Sequence, residues 1–66
     1  MNVVINGVPR ELPEIRTAAE LLQELELEGK PTAVEVNRTV IPKKELGRTL
    51  LQEGDKIEIV SFVGGG

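Results

Sequence analysis

The chain has 66 residues, with eight basic and eleven acidic side chains that give a formal net charge of −3 at pH 7. This length allows one small domain, and the acidic balance with a single aromatic residue argues against nucleic acid as a partner. Cysteine and histidine are absent, which excludes a thiol nucleophile, an imidazole base and the metal sites that these side chains build.

The chain opens with a predicted β-hairpin. Residues 3–5 form a β-branched run that ends at Asn6-Gly7, a strong signal for a two-residue hairpin turn. The returning strand is predicted over residues 8–14. Pro9 and Pro13 cannot donate ladder hydrogen bonds, so we expect this strand either to be irregular or to have its proline nitrogens facing outward.

An amphipathic helix is predicted to follow. The hydroxyl of Thr17 and the carboxylate of Glu20 have the spacing of a capping box, which places the helix start at Thr17. Gly29 is predicted to end the helix, and Pro31 prevents its continuation. Apolar residues recur at spacings of three and four and form one stripe for the core, namely Ala18, Leu21, Leu22 and Leu25.

Strand patterns dominate the second half of the chain. Residues 33–37 alternate between apolar and polar side chains, and a turn at Asn37-Arg38 leads to a brief strand at residues 40–41. Residues 43–51 are predicted to form a helical turn and a loop, with Leu46 and either Leu50 or Leu51 pointing inward. Residues 56–62 give the clearest strand pattern.

This order of elements predicts an α+β fold, in which one main helix packs on one face of a mixed sheet of four to five strands. The first and last strands are predicted to pair in parallel at the centre of the sheet, which is the β-grasp arrangement. We expect residues 1–63 to form the domain and residues 64–66 to form a flexible glycine tail.

The last strand has two different faces. Ile57 and Ile59 point to one side, and Glu58, Val60 and Phe62 point to the other. If the isoleucines pack under the helix, Val60 and Phe62 emerge on the open side of the sheet. We therefore predict that Val60 and Phe62 dock a partner protein.

The glycine tail is the candidate functional segment. Glycine has no Cβ, so Gly64, Gly65 and Gly66 can thread a narrow channel, and they reach about 10 Å when fully extended. The predicted reactive group is the carboxylate of Gly66, which becomes electrophilic after adenylation. Because we find no catalytic residue and no metal site in the chain itself, a partner enzyme has to perform the activation.

The chain resembles the sulfur carrier proteins of the thiamine pathway, which are small ubiquitin-like β-grasp domains. Three stretches carry the resemblance: Thr17 with Glu20-Leu21-Leu22 and Leu25; residues 33–37 with Val40-Ile41-Pro42; and residues 54–59 leading to Val63-Gly64-Gly65-Gly66. Gly65 and Gly66 match the terminal pair of the family. The extra Gly64 is compatible with it.

The resemblance implies a cycle of sulfur transfer in which the protein itself is not an enzyme and binds no cofactor. An E1-like adenylating enzyme would use ATP and magnesium to form an acyl adenylate on Gly66. A persulfide from a cysteine desulfurase would convert the adenylate to a thiocarboxylate, which would donate sulfur to thiazole synthase. Gly64 and Gly65 would serve in recognition of the tail.

Other functions are compatible with the same tail. The small subunit of molybdopterin synthase shares the fold and the thiocarboxylate, a ubiquitin-like modifier would join its tail to a lysine, and a plain interaction domain would do neither. The sequence has no apolar run long enough to span a bilayer, so we expect no membrane partner and a cytoplasmic location.

Overall fold

The structure is a computed structural model that describes residues 1–62. The elements in chain order are strands β1 (Asn2–Ile5) and β2 (Val8–Glu11), helix α1 (Ala18–Glu24), strands β3 (Thr32–Val36) and β4 (Thr39–Ile41), a 3-10 helix (Lys43–Arg48), and strand β5 (Lys56–Ser61). The predicted boundary between the domain and the tail, at residues 63 and 64, lies outside the described residues.

The five strands form one mixed sheet in the order β2-β1-β5-β3-β4. Strand β5 lies at the centre, parallel to β1 and antiparallel to β3. The first and last strands therefore pair as predicted, and the α+β prediction of a β-grasp sheet with one packed helix is confirmed.

The first hairpin turns at Asn6-Gly7, where both residues have positive φ, 50° and 80°, as a type I′ turn requires. Glycine adopts this conformation without steric cost, and asparagine tolerates it. Strand β2 ends at Glu11 rather than at the predicted residue 14. It is an edge strand, which is where proline is tolerated, and Pro9 pairs with Val4.

The capping box at the start of α1 is present as predicted. The N–H of Glu20 donates to Oγ1 of Thr17 at 3.1 Å, and Oε1 of Glu20 accepts from the N–H of Thr17 at 3.0 Å. The N–H of Arg16 also donates to Oε1 of Glu20, at 2.7 Å. These hydrogen bonds satisfy N–H groups around the first turn, which has no helical partners for them.

The helix ends at Glu24 and not at the predicted Gly29. Glu26 takes a positive φ of 60°, and the N–H groups of Glu26 and Leu27 donate to the carbonyls of Gln23 and Leu22. This is the hydrogen-bond pattern of a Schellman motif, which satisfies the last carbonyls of the helix. Sequence reasoning missed this end because it expected glycine at the residue with positive φ.

The core lies between α1 and the inner face of the sheet. Leu21 and Ile57 are almost completely buried, at 0% and 1% exposure, and they are its largest fully buried side chains. The predicted stripe of α1 faces this core, with Ala18, Leu21 and Leu22 buried and Leu25 packed at its edge.

The segment after β4 closes one side of the core. It forms the predicted helical turn, here a 3-10 helix, and Leu46 packs against the core from it. Leu51 is buried and its N–H donates to the carbonyl of Arg16 at 2.8 Å. Leu50 points to solvent, so the structure selects Leu51 of the two leucines proposed for the inward position.

The capping box is predicted to make the domain less stable at acidic pH. Hydrogen bonds from the N–H groups of Arg16 and Thr17 lower the pKa of Glu20 below its ordinary value of 4.5. A depressed pKa in the folded state stabilises the domain fully above pH 4.5, and this stabilisation is lost as the pH falls through the folded-state pKa.

We therefore expect Glu20→Gln, which removes the charge and keeps an acceptor oxygen, to lower the melting temperature at pH 7. The wild type and this variant should converge as the pH falls below the lowered, folded-state pKa of Glu20, because Glu20 is then protonated in the wild type too. Glu24→Gln, on the exposed part of the same helix, is the control. Thermal unfolding followed by circular dichroism tests this, and a difference between wild type and Glu20→Gln that is independent of pH would contradict it.

Candidate functional site

Strand β5 leads toward the glycine tail, and its neighbours hold it in register from both sides. Val4 and Ile5 of β1 lie opposite Lys56 and Ile57, and all five residues of β3 pair with the stretch from Ile57 to Ser61. Beyond the strand, the N–H of Phe62 donates to the carbonyl of Pro31 at 2.9 Å. The last described residue before the tail is therefore still hydrogen-bonded to the domain.

A side chain continues the pairing of β5 where strand β1 ends. The amide of Asn6 accepts from the N–H of Ile59 at 2.7 Å through Oδ1 and donates to the carbonyl of Ile59 at 3.0 Å through Nδ2. These two bonds occupy both backbone groups of Ile59. The hairpin turn thus extends the contact of the first strand with β5 by one further residue pair.

A second asparagine plays the same part at the other end of β5. Asn37 begins the β3–β4 turn, and its Oδ1 accepts from the N–H of Lys56 at 3.0 Å. Its Nδ2 donates to Oδ1 of Asp55 at 2.9 Å, and Oδ2 of Asp55 accepts from the N–H of Gln52 at 2.7 Å. Asp55 is only 8% exposed, so these bonds satisfy a carboxylate that would be costly to bury without partners.

Val60 lies on the open face of the sheet, as its position in the strand predicted. Ile57 and Ile59 are buried on the helix side at 1% and 8% exposure, whereas Val60 is 54% exposed. Ala33 of β3 lies directly opposite Val60. The neighbouring cross-strand pair is Glu58 with Glu35, so an apolar patch and two carboxylates share this face.

Phe62 follows directly after the end of β5. It is also 54% exposed, and it lines a groove on the helix side together with Leu22 of α1 and Leu46 of the 3-10 helix. Docking at Val60 and Phe62 stays a prediction.

The predicted sulfur-carrying residue Gly66 and the predicted recognition residues Gly64 and Gly65 lie outside the described residues. Within residues 1–62, no group of three or more acidic side chains is placed so that it could hold a metal ion. In the same part of the chain, no helix is long and apolar enough to cross a membrane.

Sequence reasoning did not identify the residues that hold β5 in place or those that line the groove. Asn6 and Asn37 were recognised as turn residues, but their contacts to β5 were not. Asparagine at the first position of both hairpin turns was the available signal, since its amide can pair with a backbone N–H and C=O together. The groove residues carry no comparable signal, because the groove forms only when three distant segments meet.

The sheet order, the helix on one face and the central strand that leads to a Gly-Gly pair define a β-grasp protein of the ubiquitin-like class. The crystal structure of a thiamine biosynthesis protein (ThiS) from Geobacter metallireducens has the same fold, with a TM-score of 0.82 and 30% sequence identity over the whole of both chains. The ThiS family model matches residues 3–66.

Two curated relatives are similar to this chain in sequence. The sulfur carrier protein ThiS of Thermus thermophilus is 38% identical over 64 residues, which cover 97% of this chain and 98% of that protein. A protein of Paramagnetospirillum magneticum named thiazole synthase is 41% identical over 66 residues, and these are all of this chain and 20% of that protein. The chain thus spans about one-fifth of the length of that relative.

The chain belongs to the ThiS family. The resemblance to the sulfur carriers of thiamine biosynthesis is therefore confirmed. Strand pairing and hydrogen bonds hold the chain in register as far as Phe62, the last described residue.

The contribution of the contact between Asn6 and Ile59 to the stability of the domain can be measured. We expect Asn6→Ala to lower the free energy of unfolding by about 2–3 kcal/mol, because it removes two hydrogen bonds and places alanine at a positive φ. Asn6→Gly tolerates the φ and loses only the hydrogen bonds, so it should lose about 1–2 kcal/mol. Urea unfolding measures both variants. Wild-type stability in Asn6→Gly would show that the bonds to Ile59 contribute nothing.

Proposed function

We propose that the protein carries sulfur as a thiocarboxylate on Gly66 and donates it to thiazole synthase in thiamine biosynthesis. The observation that carries the proposal is the match of the ThiS family model, which runs through the central strand and the glycine residues to position 66. The hydrogen bonds of β5 support it, since they hold the chain at Ile59 and Phe62, just before the tail.

The chemistry begins with activation by a partner. An oxygen of the Gly66 carboxylate attacks the α-phosphorus of ATP in an E1-like adenylating enzyme, which uses magnesium, and pyrophosphate leaves. The terminal sulfur of a persulfide, supplied through a cysteine desulfurase, then attacks the acyl carbon and AMP leaves. A second thiol cleaves the resulting sulfur–sulfur bond, which releases the thiocarboxylate and leaves a disulfide on the partner.

The composition of the chain agrees with this division of work. It contains no cysteine and no histidine, so the thiols and bases of the cycle belong to the partners. Glycine at the end leaves the acyl carbon unhindered, because it has no side chain beside the carbonyl. In the P. magneticum relative, one chain contains a region similar to this protein and bears the name thiazole synthase. This supports thiazole synthase as the sulfur acceptor.

Deletion of Gly66 tests the role of the tail. We expect this variant to be neither adenylated nor converted to a thiocarboxylate, since Gly65 would end one residue, about 3.5 Å, short of the reacting nucleotide. Its melting temperature should equal that of the wild type, because the deletion leaves the hydrogen bonds and core of residues 1–62 in place.

The measurement is intact mass after incubation with the adenylating enzyme, the desulfurase, ATP and magnesium. Wild-type protein should gain the mass difference between sulfur and oxygen. Conjugates of high mass would instead indicate a ubiquitin-like modifier, and an unchanged wild-type mass would contradict the proposal. Loss of folding on deletion of Gly66 would show that the tail has a structural role.

The open face around Val60 is the proposed docking surface for the adenylating enzyme. We expect Val60→Lys to lower kcat/KM for adenylation about tenfold or more, because a charge would replace an apolar contact in the interface. Stability should change by no more than about 0.5 kcal/mol, since Val60 is more than half exposed.

Leu50→Lys is the matched control for Val60→Lys. Leu50 is also an exposed apolar residue, but it lies outside the strands, before the buried Leu51. Adenylation rates measured by pyrophosphate release distinguish the two variants. Equal rates for Val60→Lys and Leu50→Lys would exclude Val60 from the interface.

A further inference from the structure

A groove of about 450 Å³ lies on the helix side of the domain, beside the point where β5 ends. Its apolar wall comes from three segments that are distant in sequence: α1 with the loop after it, the 3-10 helix, and the end of β5. The apolar side chains are Leu22, Leu27, Leu46 and Phe62. The proposed docking face around Val60 lies on the opposite side of the sheet.

The apolar wall of the groove is incompletely covered. Leu22 is buried, and Leu27 and Leu46 are partly buried against the core, but Phe62 is 54% exposed. Phe62 is the single aromatic residue of the chain. A partner that covers this ring would remove apolar surface from water, and aromatic rings at such positions contribute strongly to protein interfaces.

The charge of the groove is opposite to that of the whole chain. Lys30 and Lys43 line it, and among its described lining residues Glu28 is the sole acid. Oε2 of Glu28 already accepts a hydrogen bond from Nε2 of Gln23 at 2.9 Å. The groove therefore presents two lysines beside an apolar surface on a protein with a net charge of −3, and this favours a partner segment with carboxylates.

We propose that this groove receives a segment of thiazole synthase that presents an apolar side chain flanked by carboxylates. This inference rests on the proposed function. The groove reaches Phe62, which is separated from the tail by one residue, so a protein that takes the tail into its active site passes close to it.

The choice of thiazole synthase over the adenylating enzyme follows from the separation of the two surfaces. In the P. magneticum relative the carrier-like region belongs to a chain named thiazole synthase. Linkage of two partners in one chain raises their effective concentration toward each other. A synthase that occupied the open face under those conditions would compete with activation. Docking in the groove leaves the open face accessible.

Two neighbouring lysines provide a matched pair for the test. Lys43 lines the groove, whereas Lys44 does not, and both lie in the first turn of the 3-10 helix. We expect Lys43→Glu to weaken binding of the full chain to thiazole synthase about tenfold, while Lys44→Glu changes it by less than about twofold. Calorimetric titration at two salt concentrations measures this, and the salt dependence should be smaller for Lys43→Glu.

The apolar part of the groove is tested with Phe62→Ser and with Leu50→Ser as its control. Phe62→Ser should weaken synthase binding about tenfold or more and Leu50→Ser should not. In the wild type, methyl signals of Leu22 and Leu46 should shift when unlabelled synthase is added. Circular dichroism on all four variants separates loss of binding from loss of folding.

Several results would overturn the inference. Equal effects of Lys43→Glu and Lys44→Glu would show that the synthase is attracted by the general charge of this region and does not bind in the groove. An effect of Lys43→Glu on the adenylating enzyme alone would assign the groove to that partner. A further outcome is that the wild type acquires its thiocarboxylate and donates the sulfur, while the groove variants donate it with the same efficiency as the wild type. In that case the groove inference fails and the proposed function stands. If wild-type protein neither binds the synthase nor donates sulfur to it, the proposed function fails first.

Discussion

The backbone hydrogen bonds of the central strand are the interaction on which the rest of the structure depends. Strand β5 has β1 on one side and β3 on the other, and the amides of Asn6 and Asn37 add bonds at Ile59 and Lys56. The buried isoleucines of β5 also supply the sheet side of the core. The strand is thus held by ladder bonds in the plane of the sheet and by packing under the helix.

This arrangement suits a protein whose reactive group is proposed to lie at the end of its chain. A tail of glycines has little preference of its own for direction, so the residues before it have to define where it starts. The bonds at Ile59 and Phe62 do this from opposite sides of the strand. In the proposed cycle the domain contributes position and surface, and the partners contribute the reactive side chains.

Much of the fold was predictable because local signals and tertiary packing agree. The Asn6-Gly7 turn, the capping box of Thr17 and Glu20, and the alternation of β5 each determine an element through contacts that are near in sequence. The end of α1 was not predictable in this way. Glycine is favoured at the residue with positive φ that ends a helix, so the sequence predicted an end at Gly29, whereas Glu26 takes this role. The hydrogen bonds from the N–H groups of Glu26 and Leu27 to the last carbonyls of the helix compensate for the less favourable residue.

The sequence by itself determined the β-grasp class, the buried face of β5 and the glycine residues as the candidate functional segment. These follow from residue periodicity and from the conformational properties of glycine, which are local. Only the tertiary structure decided that Phe62 lines a groove with Leu22 and Leu46, that Asn6 binds Ile59, and that Lys30 and Lys43 border the same groove. Each of these depends on segments far apart in the chain, and no local pattern encodes which of them meet once the strands have paired and the helix has packed.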